Sequence, residues 1–358
     1  MTDRKFRILL LADSRSFHIE RLVAQLRRHD CRVLTASLER GSVHHYHLKA
    51  KLPIRPLSYF LAGGQIRAIA GRFNPDIIYA HFATGYGYAA ARAVKSLTIP
   101  MVLNIWGSDI LMADRPMTFR RHKARLALKR ANHVFADSEY LLTAARRLFD
   151  NPNGDVIPWG VEREFLTFHK KDYGFHTPLK IIVPRAHEPV YGNLFIVTAL
   201  AGLINDGKVQ LTFPEFGSQA KSFSRGVQSL VGEKIQYYRK LPRREFIELM
   251  AQHDVYLSNS QSDSSPVSLI EAMALGLLPV AADIPGVREW LTAESGFSYP
   301  TGNAGALVEA IKDLVEGTNR FENMRARNLE RVKAEALFED NIGRQVEVMR
   351  SVAKGAKP

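Results

Sequence analysis

The 358-residue sequence contains one cysteine, Cys31, which excludes an intrachain disulfide and makes a reducing, cytoplasmic setting the simplest inference. No uninterrupted apolar stretch approaches the ~18 residues that a membrane-spanning helix requires. Behind Arg4, Lys5 and Arg7 the only apolar run is Ile8 to Ala12, too short for a secretory signal. No Asp-x-Asp pair occurs. The one histidine-rich stretch, His44-His45-Tyr46-His47, has poor ligand spacing and no cysteine or acidic cluster beside it, so it reads as a loop and no metal site is expected.

Net negative charge is missing from the first half in particular. The chain carries +13 overall; residues 1–176 hold 28 of its 49 Lys and Arg but only 15 of its 36 Asp and Glu, whereas residues 177–358 hold 21 of each. The whole excess therefore lies in the first half and points to an anionic partner. Its densest block runs from Arg115 to Arg130 and includes Arg120, Arg121, Lys123, Arg125 and Lys129. With Met117 and Phe119 at its start, the block suits an anionic membrane surface on the inner face of the plasma membrane; a solvated basic helix is the other reading. Nucleic acid is disfavoured, because aromatics that could stack on bases are not interleaved with these charges.

What is present is enough for two cores: the chain is 46% hydrophobic and of two-domain length. Strand-like and helix-like segments alternate. In the first half, strands are expected at 7–11, 32–36, 76–81, 101–105, 133–136 and 155–157, with helices at 18–28, 58–73, 86–96, 119–130 and 138–149. The second half repeats the pattern, with strands at 179–183, 209–213, 234–237, 255–258 and 277–282 and helices at 194–205 and 243–251. A long helical tail covers 320–353, and Glu162 to Pro178 reads as a linker. Such alternation implies an α/β fold with parallel, doubly wound sheets. Gly85-Tyr86-Gly87-Tyr88-Ala89-Ala90 fits a dinucleotide fingerprint, but it follows a later strand and not the first, so it is discounted.

The most informative stretch is Ser262-Asp263-Ser264-Ser265-Pro266-Val267-Ser268-Leu269-Ile270-Glu271-Ala272-Met273-Ala274-Leu275-Gly276. It places a polar loop before a helix that opens near Pro266, carries Glu271 and ends at Gly276. The free N–H groups and positive dipole end of such a helix suit a phosphate, and a carboxylate further along it can accept hydrogen bonds from sugar hydroxyls. An ordinary helix start capped by Asp263 or Ser264, with Glu271 exposed, is the alternative.

This segment resembles the donor-binding signature of the family 4 retaining glycosyltransferases: an acid, seven residues, then Glu-Ala-Met-Ala and a Gly, followed by an apolar strand opening with Pro. The loop Asp283-Ile284-Pro285-Gly286-Val287-Arg288 also matches. The resemblance implies a GT-B fold of two Rossmann-like, doubly wound parallel-sheet domains facing a cleft. The first would be an acceptor-side domain over 1–165 and the second a nucleotide-sugar domain over 177–335, with a last helix, 336–358, returning to the first. It implies a metal-independent transfer of a sugar from a nucleotide-diphosphate donor, with no further cofactor, to a glycan or polyprenyl-linked acceptor. A non-catalytic GT-B scaffold or nucleotide-sugar-binding protein is the rival reading, which turnover would separate.

Residue by residue, the resemblance puts Arg185 and the helix start at Ser265, Val267, Ser268 and Leu269 on the donor diphosphate, Glu271 on the ribose and Asp263 on the sugar. Tyr191 stands where the family has a Lys, and Trp106 where many members have a His. The loops carrying Glu215 and Leu241 would approach the nucleotide. Trp106 and Asp109 would sit at the reacting end, Trp106 stacking on a sugar and Asp109 binding acceptor hydroxyls or holding its loop. Ser14, His18 and His81 complete the acceptor side. Ile157-Pro158-Trp159-Gly160-Val161-Glu162 resembles the family's interdomain turn.

Overall fold

A computed structural model describes residues 4–41, 43, 45–49, 55–113, 118–150, 153–170, 174–317 and 321–355. His44, Arg115 to Met117 and Arg320, which entered the sequence reading, lie outside the described residues.

Two compact units form, Met1–Pro158 with Glu339–Pro358, and Trp159–Phe338. In the first, the strands β1 (Phe6–Leu11), β2 (Cys31–Ser37), β3 (His45–His47), β4 (Ile77–His81), β5 (Met101–Asn104), β6 (His133–Ala136) and β7 (Gly154–Val156) make one seven-stranded sheet ordered β3-β2-β1-β4-β5-β6-β7. The second holds β8 (Leu179–Ile182), β9 (Val209–Pro214), β10 (Gln236–Tyr238), β11 (Val255–Ser258), β12 (Leu278–Ala282) and β13 (Phe297–Tyr299), ordered β10-β9-β8-β11-β12-β13. Every pairing is parallel; Ile8 to Leu11, for example, align with Val33 to Ala36 on one side and Ile77 to Ala80 on the other. Central parallel strands are covered on both faces, which is why β1, β4 and β11 are continuous apolar runs and not alternating ones.

The helices cover these faces and start where polar side chains satisfy their first N–H groups. Ser138 accepts from Leu141 N ahead of the helix Glu139–Leu148, and Asn303 from Ala306 N ahead of Ala304–Glu316. Gly87, which suggested a dinucleotide fingerprint, is instead a packing glycine: a Cβ there would lie 2.7 Å from Leu103 Cδ1 and 2.9 Å from the Phe82 carbonyl oxygen.

Two expectations need correction. The segment 162–178 is no linker: the chain enters the second unit at Trp159, and the short helix Glu164–Thr167 buries Phe165 completely. His45–His47 is an edge strand and not a loop, paired with Thr35 to Ser37. The helical tail divides close to the expected boundary at 336, into Glu322–Glu335 and Phe338–Gly355, where Leu337 forms a parallel bridge with Val161 and so needs extended backbone. Within the first unit the last helix is tied to the sheet by Tyr79, whose hydroxyl donates to Gln345 Oε1 and accepts from Asn104 Nδ2, each at 2.8 Å. No helix of the described residues is long and apolar enough to cross a membrane.

The segment before β8 is fastened by one buried carboxylate. Asp254 accepts from Lys170 Nζ at 3.1 Å, from His176 Nδ1 at 2.8 Å, and from the backbone N–H of His176 and Lys180 at 3.2 and 3.0 Å. Burial alone would raise its proton affinity, but Lys170 and these donors more than offset that, so the carboxyl is held below its usual range. Next to it, His253 is pushed down to about 4 by burial. The two groups act in the same direction. A histidine neutral in the fold protonates first in the unfolded chain, so stability declines as pH falls from ~6.5 toward 4, by up to about 3 kcal/mol. A carboxylate with a depressed value contributes stability above ~3.8 that is lost as pH falls through its lower folded value. Urea titrations from pH 8 to 3 should show this two-stage decline. Asp254→Ala should cost roughly 3–5 kcal/mol at pH 7, because it strands Lys170 in a buried site.

Candidate functional site

Open parallel sheets bind ligands at the carboxyl ends of the strands where the strand order reverses. In the second unit that point lies between β8 and β11, and the loops leaving these two strands bring Arg185 and Asp263 together. Arg185 Nη2 donates to Asp263 Oδ2 at 2.5 Å, and the guanidinium lies 5.1 Å from the Tyr191 ring centroid. Burial opposes the guanidinium's charge, but Tyr256, Asp263 and Tyr191 more than offset it, so Arg185 stays cationic. Its Nε is buried without a hydrogen-bond partner among the described residues. Tyr191, at the position of the family Lys, therefore sits against the arginine and adds no charge.

The helix Val267–Leu275 begins beside this pair. Pro266 is its N-cap and provides no side-chain cap, so neither Asp263 nor Ser264 caps the helix. Leu269 N and Ile270 N both turn back to Pro266 O, while Val267 N and Ser268 N make no hydrogen bond among the described residues. The side chains at the helix start have other duties: Ser265 Oγ accepts from Trp290 Nε1 at 3.1 Å, Ser268 Oγ meets Tyr256 OH at 3.0 Å, and Leu269 is in the core. The loop that carries Asp263 is pressed against Gly286, where a Cβ would lie 2.2 Å from Ser264 O and 2.4 Å from Asp263 O; only glycine allows that approach.

Glu271 is not exposed. It is 5% accessible, and its Oε1 accepts from Arg243 Nη2 at 2.6 Å. The same nitrogen reaches Glu162 Oε2 at 2.8 Å, and the guanidinium lies over Phe165. Glu271 Oε2 makes no hydrogen bond among the described residues. Arg243 was absent from the sequence reading, although it left a signal: Arg243 and Arg244 open a helix, where basic charge opposes the dipole, so at least one is held for another purpose. Leu241 is half-buried against the neighbouring core, and exposed Glu215 pairs with exposed Arg239 at 3.4 Å.

In the first unit the strand order reverses between β1 and β4, and a cavity of about 610 Å³ opens there. Its lining includes Asp13 after β1, His81 and Phe82 at the end of β4, Trp106 after β5, and Phe119, Arg120 and Lys123. Phe82 has φ of 67°, a conformation that a bulky side chain rarely holds, and it begins a π-helical turn to Tyr86. Its ring stacks on Trp106 at 5.4 Å. Trp106 Nε1 donates to His81 Nδ1 at 3.0 Å, and burial pushes His81 down to about 3, so it is neutral at physiological pH. His18 meets the edge of Trp106 at 5.7 Å.

Three expected acceptor residues are not part of the cavity lining: His18, which lies against the edge of Trp106, Ser14 and Asp109. Ser14 is fully buried and its hydroxyl donates to Glu39 O at 2.7 Å. Asp109 is fully buried and holds its loop: Oδ2 accepts from Ala83 N at 2.7 Å and Oδ1 from Trp106 N at 3.0 Å. Burial raises its proton affinity and these N–H groups act against the rise. The basic helix Phe119–Arg130 is also less of a surface stripe than the sequence suggested, since Lys123 is 8% accessible and lines the cavity.

Comparison with known proteins bears on both units. The profile of the family described as "Glycosyl transferase 4-like" matches residues 7–138, and that of "Glycosyl transferases group 1" matches residues 168–331. The N-acetyl-alpha-D-glucosaminyl L-malate synthase of Bacillus anthracis is 24% identical over 276 residues, 74% of this chain and 71% of that protein. The amylovoran biosynthesis glycosyltransferase AmsK of Erwinia amylovora is 25% identical over 270 residues, 68% of this chain and 62% of its own length. Among solved structures, HepE of Anabaena in complex with UDP-glucose superposes with a TM-score of 0.79 at 18% identity, covering 96% of this chain and 99% of that one. At that identity the likeness is one of fold.

Asp109 provides a test of how the cavity wall is built. Asp109→Ala leaves two buried N–H groups without acceptors and should cost roughly 2–4 kcal/mol in urea denaturation, with red-shifted tryptophan emission as Trp106 is released. Asp109→Asn keeps one acceptor oxygen and should recover part of the loss.

Proposed function

The chain belongs to the group 1, family 4-like glycosyltransferases of GT-B type, and from that membership we propose that it moves a sugar from a nucleotide-diphosphate donor, with retention at the anomeric carbon, to a glycan or lipid-linked acceptor in surface polysaccharide or glycolipid synthesis. The observation that carries the donor assignment is the convergence of Arg185, Asp263 and the uncapped start of the helix Val267–Leu275 at one switch point. Departure of the leaving group places negative charge on the diphosphate. Arg185 and the Val267 and Ser268 N–H groups are fixed donors that can receive it, so this reading requires no metal ion.

Asp263 has a double part in this reading. It holds Arg185 in place in the absence of donor, and its carboxylate faces the sugar once the diphosphate competes for the guanidinium. Glu271, oriented by Arg243, offers Oε2 to the ribose hydroxyls. No general base is assigned: the acceptor hydroxyl attacks on the face that the diphosphate leaves, and its proton passes to the departing phosphate oxygen. The first unit's exposed Arg125, Lys129 and Arg130, with Phe119 55% and Met112 57% accessible, support contact with an anionic membrane surface. The relatives named above support both ends of this reading: one is an amylovoran biosynthesis glycosyltransferase, which supports the product class, and HepE was solved with UDP-glucose, which supports a nucleotide-sugar donor.

A thermal-shift panel of UDP, GDP, ADP and CDP sugars should show one base standing out, since stabilisation follows RT ln(1 + [L]/Kd). With that nucleotide, Glu271→Gln should lower affinity by roughly 1.5–3 kcal/mol in calorimetry, the value of hydrogen bonds to a charged group. Unchanged affinity would remove Glu271 from the ribose. Asp263→Asn should instead tighten the free nucleotide several-fold, because the competitor for Arg185 loses its charge.

A further inference from the structure

The cavity in the first unit holds two cations in an arrangement that folding alone does not favour. Lys123 is 8% accessible, yet no carboxylate of the described residues pairs with it; its ammonium lies 5.4 Å from the Phe119 ring centroid. Burial and the neighbouring Arg120 both weaken its hold on the proton. Arg120 donates from Nη2 to Ser108 O at 3.2 Å, and its Nε is buried with no hydrogen-bond partner among the described residues. Both residues occupy the first turns of the helix Phe119–Arg130, where the dipole also opposes positive charge. The nearby acids do not reach Lys123: Asp13 is engaged by Arg15, which donates from Nε at 3.0 Å and from Nη2 at 2.7 Å, and buried Asp109 accepts from Ala83 N and Trp106 N and interacts with Arg120.

A half-buried Arg120 beside a Lys123 that is 8% accessible and has no carboxylate partner among the described residues, both in the opening turns of a helix, is an arrangement that an anion would relieve. The rest of the cavity is of another character. Tyr59, Phe82, Trp106, Phe119 and Ile19 line it, and its volume of about 610 Å³ is that of a site for one small molecule. We propose that this cavity is the acceptor subsite for a molecule that carries an oxyanionic group, a carboxylate or a phosphate, on an apolar or planar body. The oxyanion sits on Lys123 and Arg120, and the body lies along Phe82 and Trp106. The word acceptor rests on the transferase reading above; the anion site itself does not. On this view the strained Phe82 and the Trp106–His81 bond present an aromatic wall to the ligand, and His81 contributes no charge.

The test titrates the full chain at low salt, by ligand-detected NMR, with benzoate, phenyl phosphate and the neutral analogue benzyl alcohol. At least one anion should bind roughly tenfold more tightly than the alcohol, and the stronger of the two identifies which oxyanion the acceptor bears. Lys123→Met should abolish that preference while keeping or raising Tm, since a buried unpaired charge is being replaced by an apolar side chain of similar length. Arg120→Gln should reduce the preference in the same direction. Equal binding of the three probes, or anion binding untouched in both variants, would overturn the proposal. UDP and GDP are titrated on the same samples. Nucleotide binding without anion binding defeats the cavity inference alone, and anion binding without nucleotide binding defeats the donor reading alone. A nucleotide that displaces the anion probe would make the cavity a donor subsite and also overturn the proposal.

Discussion

Parallel strand pairing is the constraint from which the rest of this structure follows. A parallel sheet cannot be built from hairpins, so each strand must be followed by a crossover, and each unit's loops collect at the carboxyl edge of its sheet. Where the strand order reverses, consecutive loops turn away to opposite sides and leave room between them. That single feature places Arg185 beside Asp263 in one unit and opens the aromatic cavity in the other. Neither site needs a special fold; each needs only the right residues on loops that the sheet has already aimed.

The charges at the two sites are managed differently. In the second unit they are compensated within the protein: Arg185 by Asp263, and Arg243 by Glu162 and Glu271. Compensation lets buried or half-buried ions persist without ligand and fixes their geometry, so a donor meets groups already in place. In the first unit Lys123 has no carboxylate partner among the described residues, while Arg120 interacts with the buried Asp109, and much of the rest of the cavity lining is aromatic. A balanced site suits a ligand whose charge is shared over several donors. An unbalanced one suits a ligand that brings the missing charge itself.

The fold was largely legible in the sequence because both of its periodicities are strong. The apolar runs at 8–11, 77–80 and 255–257 belong to central strands, and the helices 119–130 and 243–251 have the bounds expected of them. Errors fell where a tertiary contact overrode the local pattern. The polar, aromatic segment 162–178 reads as a linker, but Asp254 and the pocket for Phe165 fasten it. His45–His47 carries no apolar alternation and is a strand only because β2 lends it an edge.

The sequence by itself determined the class of the fold, the order of strands and helices, and the helix start that can hold a phosphate, because each depends on residues near one another in the chain. The tertiary structure alone decided what the charged side chains do. Ser14 looks like a site residue in the sequence and proves to be a loop anchor, and of the two roles open to Asp109 the structure shows that of holding its loop; Arg243 proves to be half-buried and Lys123 buried beside candidate sites. The physical reason is that a charge acquires its role from its partners and its burial. Those partners lie 28 residues away for Arg243 and Glu271 and 78 for Arg185 and Asp263, separations over which no local pattern carries information.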